Sequence, residues 1–151
     1  MRNISLILAP AVAAVLWASP AAQAATPAVQ ITRIHYDSPG SDRGGNKSVN
    51  GEYIVILNTT RKPIGLEGWT IRDKTGFVYE FGPDVVLGGK KKLVLRSGQG
   101  DDGASTVYWG RRWYVWNNDK DTAYLRRADG RLVDKCAYDS SRHDHTNCQE
   151  R

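Results

Sequence analysis

No window of the chain beyond its first two dozen residues keeps an apolar stripe at helical period. Short segments rich in Val, Ile, Tyr, Phe and Trp instead alternate with clusters of Gly, Asn, Asp and Pro. Such spacing leaves few options, because a strand half-buried on a sheet needs period-two alternation and a turn every eight to twelve residues or so. An all-β fold follows, and about eight short strands at this spacing point to a sandwich of two sheets.

The segments differ in detail. Val29 and Ile31 share one parity and Ile34 and Tyr36 the other, so a strand over residues 28 to 36 should carry a bulge near Thr32 and Arg33. "EYIVILN" is apolar at every position from Tyr53 to Leu57, as expected of a central strand covered on both sides. "RKPIGLEGWTIRD" turns through Pro63 and Gly65 before Trp69 and Ile71 resume alternation. "FVYEF" places Phe77, Tyr79 and Phe81 on one face. "DVVL" and "KKLVLRS", joined by Gly88-Gly89, read as a hairpin whose glycines permit positive φ. "RWYVW", "TAYLRR" and "RLVDKCAY" complete the set, with Ala128-Asp129-Gly130 as a second hairpin turn. The Gly, Ser, Asp, Arg and Lys content of residues 38 to 48 predicts a mobile surface loop.

The first residues predict export. Arg2 precedes an apolar run from Ile4 to Trp17, and Ala22-Gln23-Ala24 supplies the small-x-small pattern of a signal-peptidase site. Pro10 interrupts the run, which is short for a membrane span, and no second long apolar stretch follows. Cleavage after Ala24 would release residues 25–151 as a single secreted domain, with a core over about 28–138 and a tail over 139–151. Loss of Arg2 leaves 20 Lys and Arg against 16 Asp and Glu, a net charge of +4, so a polyanionic partner is compatible but not demanded. Two cysteines in an exported chain favour a disulfide, and Cys136–Cys148 would staple the tail to the last strand.

The order of motifs narrows the fold further. "NGEYIVILNTT", "IGLEGWTIRD", "FVYEFG", "YWG" and "VWNNDKDTAYLRRADGRLVDKCAY" together resemble the lamin-tail domain in its bacterial secreted form, over roughly residues 28 to 138. The resemblance implies an immunoglobulin-like β-sandwich, with Trp69 and Trp116 as core residues and no chemistry of its own. Nuclear lamins use the domain to dock proteins and nucleic acid, and secreted bacterial forms often accompany hydrolases and nucleases. The chain departs from the family pattern at Gly88-Gly89-Lys90, where Pro-Gly is common, and at Lys120, where Gly is common; both departures are expected in turns.

Candidate sites are few. Asn117, Asp119 and Asp121 have the spacing of a calcium loop, but Thr122 stands where the sharp turn needs Gly and Ala128 where a bidentate carboxylate is needed. Asn117, Asn118 and Asp121 therefore read as a structural turn, with Asp121 buried and holding loop amides. His143 and His145, with Asp139, are weak metal candidates in the tail, and a paired Cys136 and Cys148 leave no thiolate to complete such a site. His35 reads as a surface or edge residue. No G-x-S-x-G, H-E-x-x-H or P-loop occurs, and Glu52, Glu67 and Glu80 fall on strands or turns where a solvated face is the ordinary reading.

Tyr108, Trp109, Trp113, Tyr114 and Trp116 crowd into nine residues, too many for one core face. Strand alternation would send Trp113 and Val115 to one side and Tyr114 and Trp116 to the other. Tyr108, Trp109, Arg111, Arg112, Trp113 and Tyr114 are thus the candidate contact surface for sugars, bases or a protein. The expected function is a secreted, noncatalytic module without cofactor, monomeric or weakly dimeric through an edge strand. Its partner would be an extracellular protein, cell-wall polysaccharide or nucleic acid. The alternative is a small metal-dependent hydrolase or nuclease built on His143 and His145.

Overall fold

The structure is a computed structural model, and it describes residues 25–148; the leader and cleavage site predicted over residues 1–24 lie outside the described residues, as do the last three positions. The first strand, β1 (Val29–His35), shifts register between Ile31 and Arg33, which is the predicted bulge. The extra residue lets both Ile31 and Ile34 face inward. Asp134 uses the site, its Oδ2 accepting from the Ile31 amide at 2.8 Å.

After β1 come a single helical turn, α1 (Asn46–Val49), and β2 (Tyr53–Asn58). The residues between β1 and α1 are partly ordered by packing: Ser38 is buried, and its hydroxyl donates to the Ser48 carbonyl at 2.6 Å. Next are β3 (Ile64–Gly65), β4 (Thr70–Arg72), β5 (Val78–Glu80), β6 (Val86–Leu87), β7 (Lys92–Arg96) and β8 (Thr106–Tyr108). The chain ends through β9 (Lys120–Arg126), β10 (Leu132–Asp139) and β11 (His145–Asn147). One sheet has the order β11-β1-β2-β7-β8, a second β10-β9-β4-β5, and β3 pairs with β6 apart from both. All neighbours are antiparallel except β7 and β8, which run parallel.

The inner faces of the two large sheets form one core, with Ile31, Ile34, Ile54, Ile56, Leu93 and Leu95 from the first meeting Ile71, Tyr79, Ala123 and Leu125 from the second. This is the expected immunoglobulin-like sandwich. The disulfide Cys136–Cys148 joins β10 to the residue after β11, tying one sheet to the edge of the other. Tyr36 and Tyr138 stack at 3.9 Å beside this junction.

Several expectations are corrected. The described residues hold eleven strands: β3 forms within the segment read as a turn, and β8 and β11 form where no strand was expected, each held by pairing to a neighbouring strand. The hairpin of "DVVL" with "KKLVLRS" does not form: β6 pairs with β3, while β7 crosses to β2. In the connecting turn the positive φ falls on Lys90, at 59°. Gly89 is required for another reason, since a Cβ there would collide with the Arg61 carbonyl. Lys120 lies in no turn but opens β9. β2 is central, but only Ile54 and Ile56 face the core; Val55 faces outward in a depression shared with Thr32, Tyr53 and Val94. "RWYVW" is not a strand, and its alternation fails, since the adjacent Val115 and Trp116 are both buried.

Candidate functional site

The segment from Trp109 to Trp116 leaves β8 and runs over one end of the sandwich, and a buried carboxylate holds it there. Glu52 shares parity with Ile54 and Ile56, so it points into the protein at the start of β2 and is fully buried. Its Oε2 accepts from the Val115 amide at 2.8 Å, with the Trp116 amide at 3.5 Å. Oε1 and the Ser97 hydroxyl are buried near one another without forming a well-aligned hydrogen bond, though the hydroxyl is close enough to favour the carboxylate. Burial pushes the Glu52 carboxyl up to about 8, against the opposing effects of the Val115 amide, the Ser97 side chain and the Trp116 amide; Asp42 raises it further.

The amide grip of Glu52 separates the predicted contact residues. Trp109 is half-buried between Tyr79 and Trp116, with ring centroids 5.9 and 6.1 Å away. The Arg111 guanidinium lies over Phe77, 4.1 Å from the ring centroid, and Arg112 is exposed. Tyr114 shares a hydrogen bond with the Ser48 hydroxyl at 2.6 Å and stands edge-on to Trp113. Trp113 is 56% exposed, the most open large aromatic among the described residues. Its ring rests on Gly44, where a Cβ would lie 2.6 Å from Cζ3.

Gly44 also lines a groove of about 900 Å³, together with other residues of the 39–51 segment and with Arg96 and Tyr108. Its lining contains two cations, Lys47 and Arg96, and no carboxylate. Asn46 and Asn50 clamp Gln99 from this side, both Nδ2 groups donating to its carbonyl at 2.9 Å. Gly98 is needed beneath them, for a Cβ would lie within 2.6 Å of both amide oxygens. Sequence reasoning found Tyr108 but missed Arg96, Lys47 and Asn50. Glu52, expected on a solvated face, is instead fully buried, because it shares the inward parity of Ile54 and Ile56. The rest depends on the register of β2, β7 and β8, which no local pattern reveals.

The other candidates are placed apart. Asp121 is buried, and its carboxylate accepts from the amides of Lys74, Thr122 and Asn117 at 3.0, 2.7 and 3.2 Å. Asn117 also donates to it through Nδ2, and Asn118 reaches Asp42 at 2.7 Å, so all three tie neighbouring segments together. Trp116 is core, whereas Trp69 is only partly buried, with Arg127 over its ring. His143 lies in a shallow depression with Asp119 and Asp139. His145 turns elsewhere, its Nδ1 2.5 Å from Asp144. Among the described residues no three His, Cys, Asp or Glu side chains are grouped so as to hold a metal ion. His35 is less exposed than an edge residue would be: it stacks on Tyr53 at 4.9 Å, and its Nε2 is 3.4 Å from Asp144. Burial lowers its pKa, with Asp144 opposing.

The fold is thus an immunoglobulin-like sandwich with an open groove and an exposed tryptophan, and its Asn and Asp motifs are spent on turns. The Lamin Tail Domain family model matches residues 22–140, most of the chain, and the protein belongs to that family. No curated protein matches it. Among the described residues no helix is long and apolar enough to cross a membrane, and the disulfide is consistent with an extracellular setting.

Proposed function

We propose that the chain is exported, cleaved after Ala24, and acts as a single-domain, noncatalytic interaction module for an extracellular macromolecule. The observation that carries this reading is an open groove and an exposed Trp113 that share Gly44 as a neighbour. A groove of about 900 Å³ has the dimensions of a recognition site, and an exposed indole beside it is a typical anchor. The contact surface is then redrawn from the sequence: Tyr108 and Trp113 stay in it, Arg96 and Lys47 join it, and Trp109 leaves for the core.

The test is retention. The exported chain and its Trp113→Ala variant, both immobilised, are exposed separately to purified cell wall, polysaccharides, nucleic acid and secreted proteins. Retention of one class by the parent and its loss in the variant supports the reading. Equal behaviour of both proteins towards all four overturns it.

A further inference from the structure

Strand register arranges one residue from each strand of the five-stranded sheet in a single row. His145 is opposite His35, His35 opposite Tyr53, Tyr53 opposite Arg96, and Arg96 opposite Tyr108. Cross-strand partners share a face, so the five side chains stand side by side on the outer surface. Their planes stack: His35 and His145 at 6.1 Å and 13°, His35 and Tyr53 at 4.9 Å and 20°, and the Arg96 guanidinium 5.5 Å from the Tyr53 centroid. The row ends in the groove, where Arg96 and Tyr108 form part of the lining.

Arg96 is unusual within this row. Its Nη1 donates to the Asn50 carbonyl at 2.6 Å and its guanidinium carbon lies over the Tyr53 ring, two contacts that restrict the fork. The side chain is half-buried, and among the described residues no carboxylate pairs with it. A fixed, partly desolvated guanidinium with spare donors is preorganised for a planar oxyanion. Tyr108 is fixed as well: its amide donates to Asp102 Oδ1 at 2.8 Å, and its ring presses against Gly100, where a Cβ would collide.

Resting on the interaction-module reading, we infer that the groove binds an acidic saccharide, with Arg96 taking a uronate carboxylate, Tyr108 lying against a sugar ring, and Lys47 adding charge at the rim. The remaining lining, including Pro39, Gly44, Gly45, Ser48 and Gly51, consists of small residues, so the C–H face of a sugar ring can lie close to the backbone. Two cations suit an isolated carboxylate better than a nucleic-acid backbone, which calls for a track of phosphate contacts.

The exported chain with its disulfide formed is titrated calorimetrically with short oligogalacturonate, oligomannuronate and hyaluronan fragments. Neutral chitin oligosaccharide, oligothymidylate and poly-L-glutamate serve as comparators. At least one uronate oligomer binds, and the neutral sugar does not. Arg96→Gln weakens binding about tenfold or more, the scale of one lost charge-assisted contact, and Tyr108→Ala and Lys47→Gln weaken it severalfold. Lys47 is exposed on α1, so its variant keeps the fold even if that of Arg96 does not. No binding to any of the three uronates, or binding that ignores Lys47 and Tyr108, overturns the inference. Binding of oligothymidylate or polyglutamate in place of the uronates also overturns it, while leaving the interaction module standing; silence towards these probes and in the retention test removes both.

Discussion

Replacing Glu52 with Gln should remove a pH-dependent weakness of the fold. The carboxyl has an ordinary value of 4.5 and is raised to about 8 by burial. For an acid raised in this way, the native state is most favoured below the unfolded value. Stability then falls as pH climbs from about 4.5 to 8 and is level above that. The span of the shift corresponds to a ceiling of about 5 kcal/mol at about 1.4 kcal/mol per unit. Gln keeps an oxygen for the Val115 amide and offers an N–H to the Ser97 hydroxyl, which makes no well-aligned hydrogen bond to Glu52. The variant should therefore match the parent near pH 5 and exceed it by at least about 2 kcal/mol at pH 9, the low end of the cost of a buried, uncompensated charge. Urea unfolding at intervals from pH 5 to 9, followed by tryptophan fluorescence, gives the difference between the two proteins, in which the titration of His35 and other groups cancels. A difference that stays flat across that range would refute the reasoning.

Reducing Cys136–Cys148, or replacing both cysteines with serine, frees a short loop and should cost about 3 kcal/mol by the chain-entropy relation, read from urea midpoints with and without reductant. Asp121→Ala leaves three backbone amides without their acceptor and should cost roughly 2–4 kcal/mol in the same assay, with Asp121→Asn recovering part of the loss. Gly89→Ala forces a methyl group onto the Arg61 carbonyl and should lower the melting temperature clearly. Gly65→Ala, with nothing near the added carbon, should leave it nearly unchanged. Added zinc should not raise the melting temperature, since His143 and His145 point to different neighbours; a rise that disappears in His143→Ala would contradict this.

Local information carried the fold class far. Alternation in "FVYEF" marks Tyr79 and Phe81 as buried, though Phe77 of the same parity lies exposed under Arg111; the parity change in "VQITRIH" marks the bulge of β1, and Asp-Gly marks the β9–β10 turn, where Gly130 has a φ of 81°. Each is a short-range consequence of pleat geometry or of glycine's access to positive φ, so a single sequence can express it. Asp121 was legible for the same reason, because a carboxylate four residues after Asn117 bonds to its own neighbourhood. "RWYVW" failed because β-branched and aromatic content resembles a strand whether or not a partner strand exists. Glu52, Gly44 and Ser48 hold that segment as a loop instead. The groove could not be read at all, since Arg96, Tyr108 and Lys47 are brought together by the pairing of β2 with β7, by a parallel β7–β8 pair and by the turn α1. The sequence by itself determined which residues alternate, turn and crosslink, because those are properties of neighbours along the chain. Only the tertiary structure decided that His145, His35, Tyr53, Arg96 and Tyr108 form one row ending in an open groove, because register joins residues that have no local knowledge of one another.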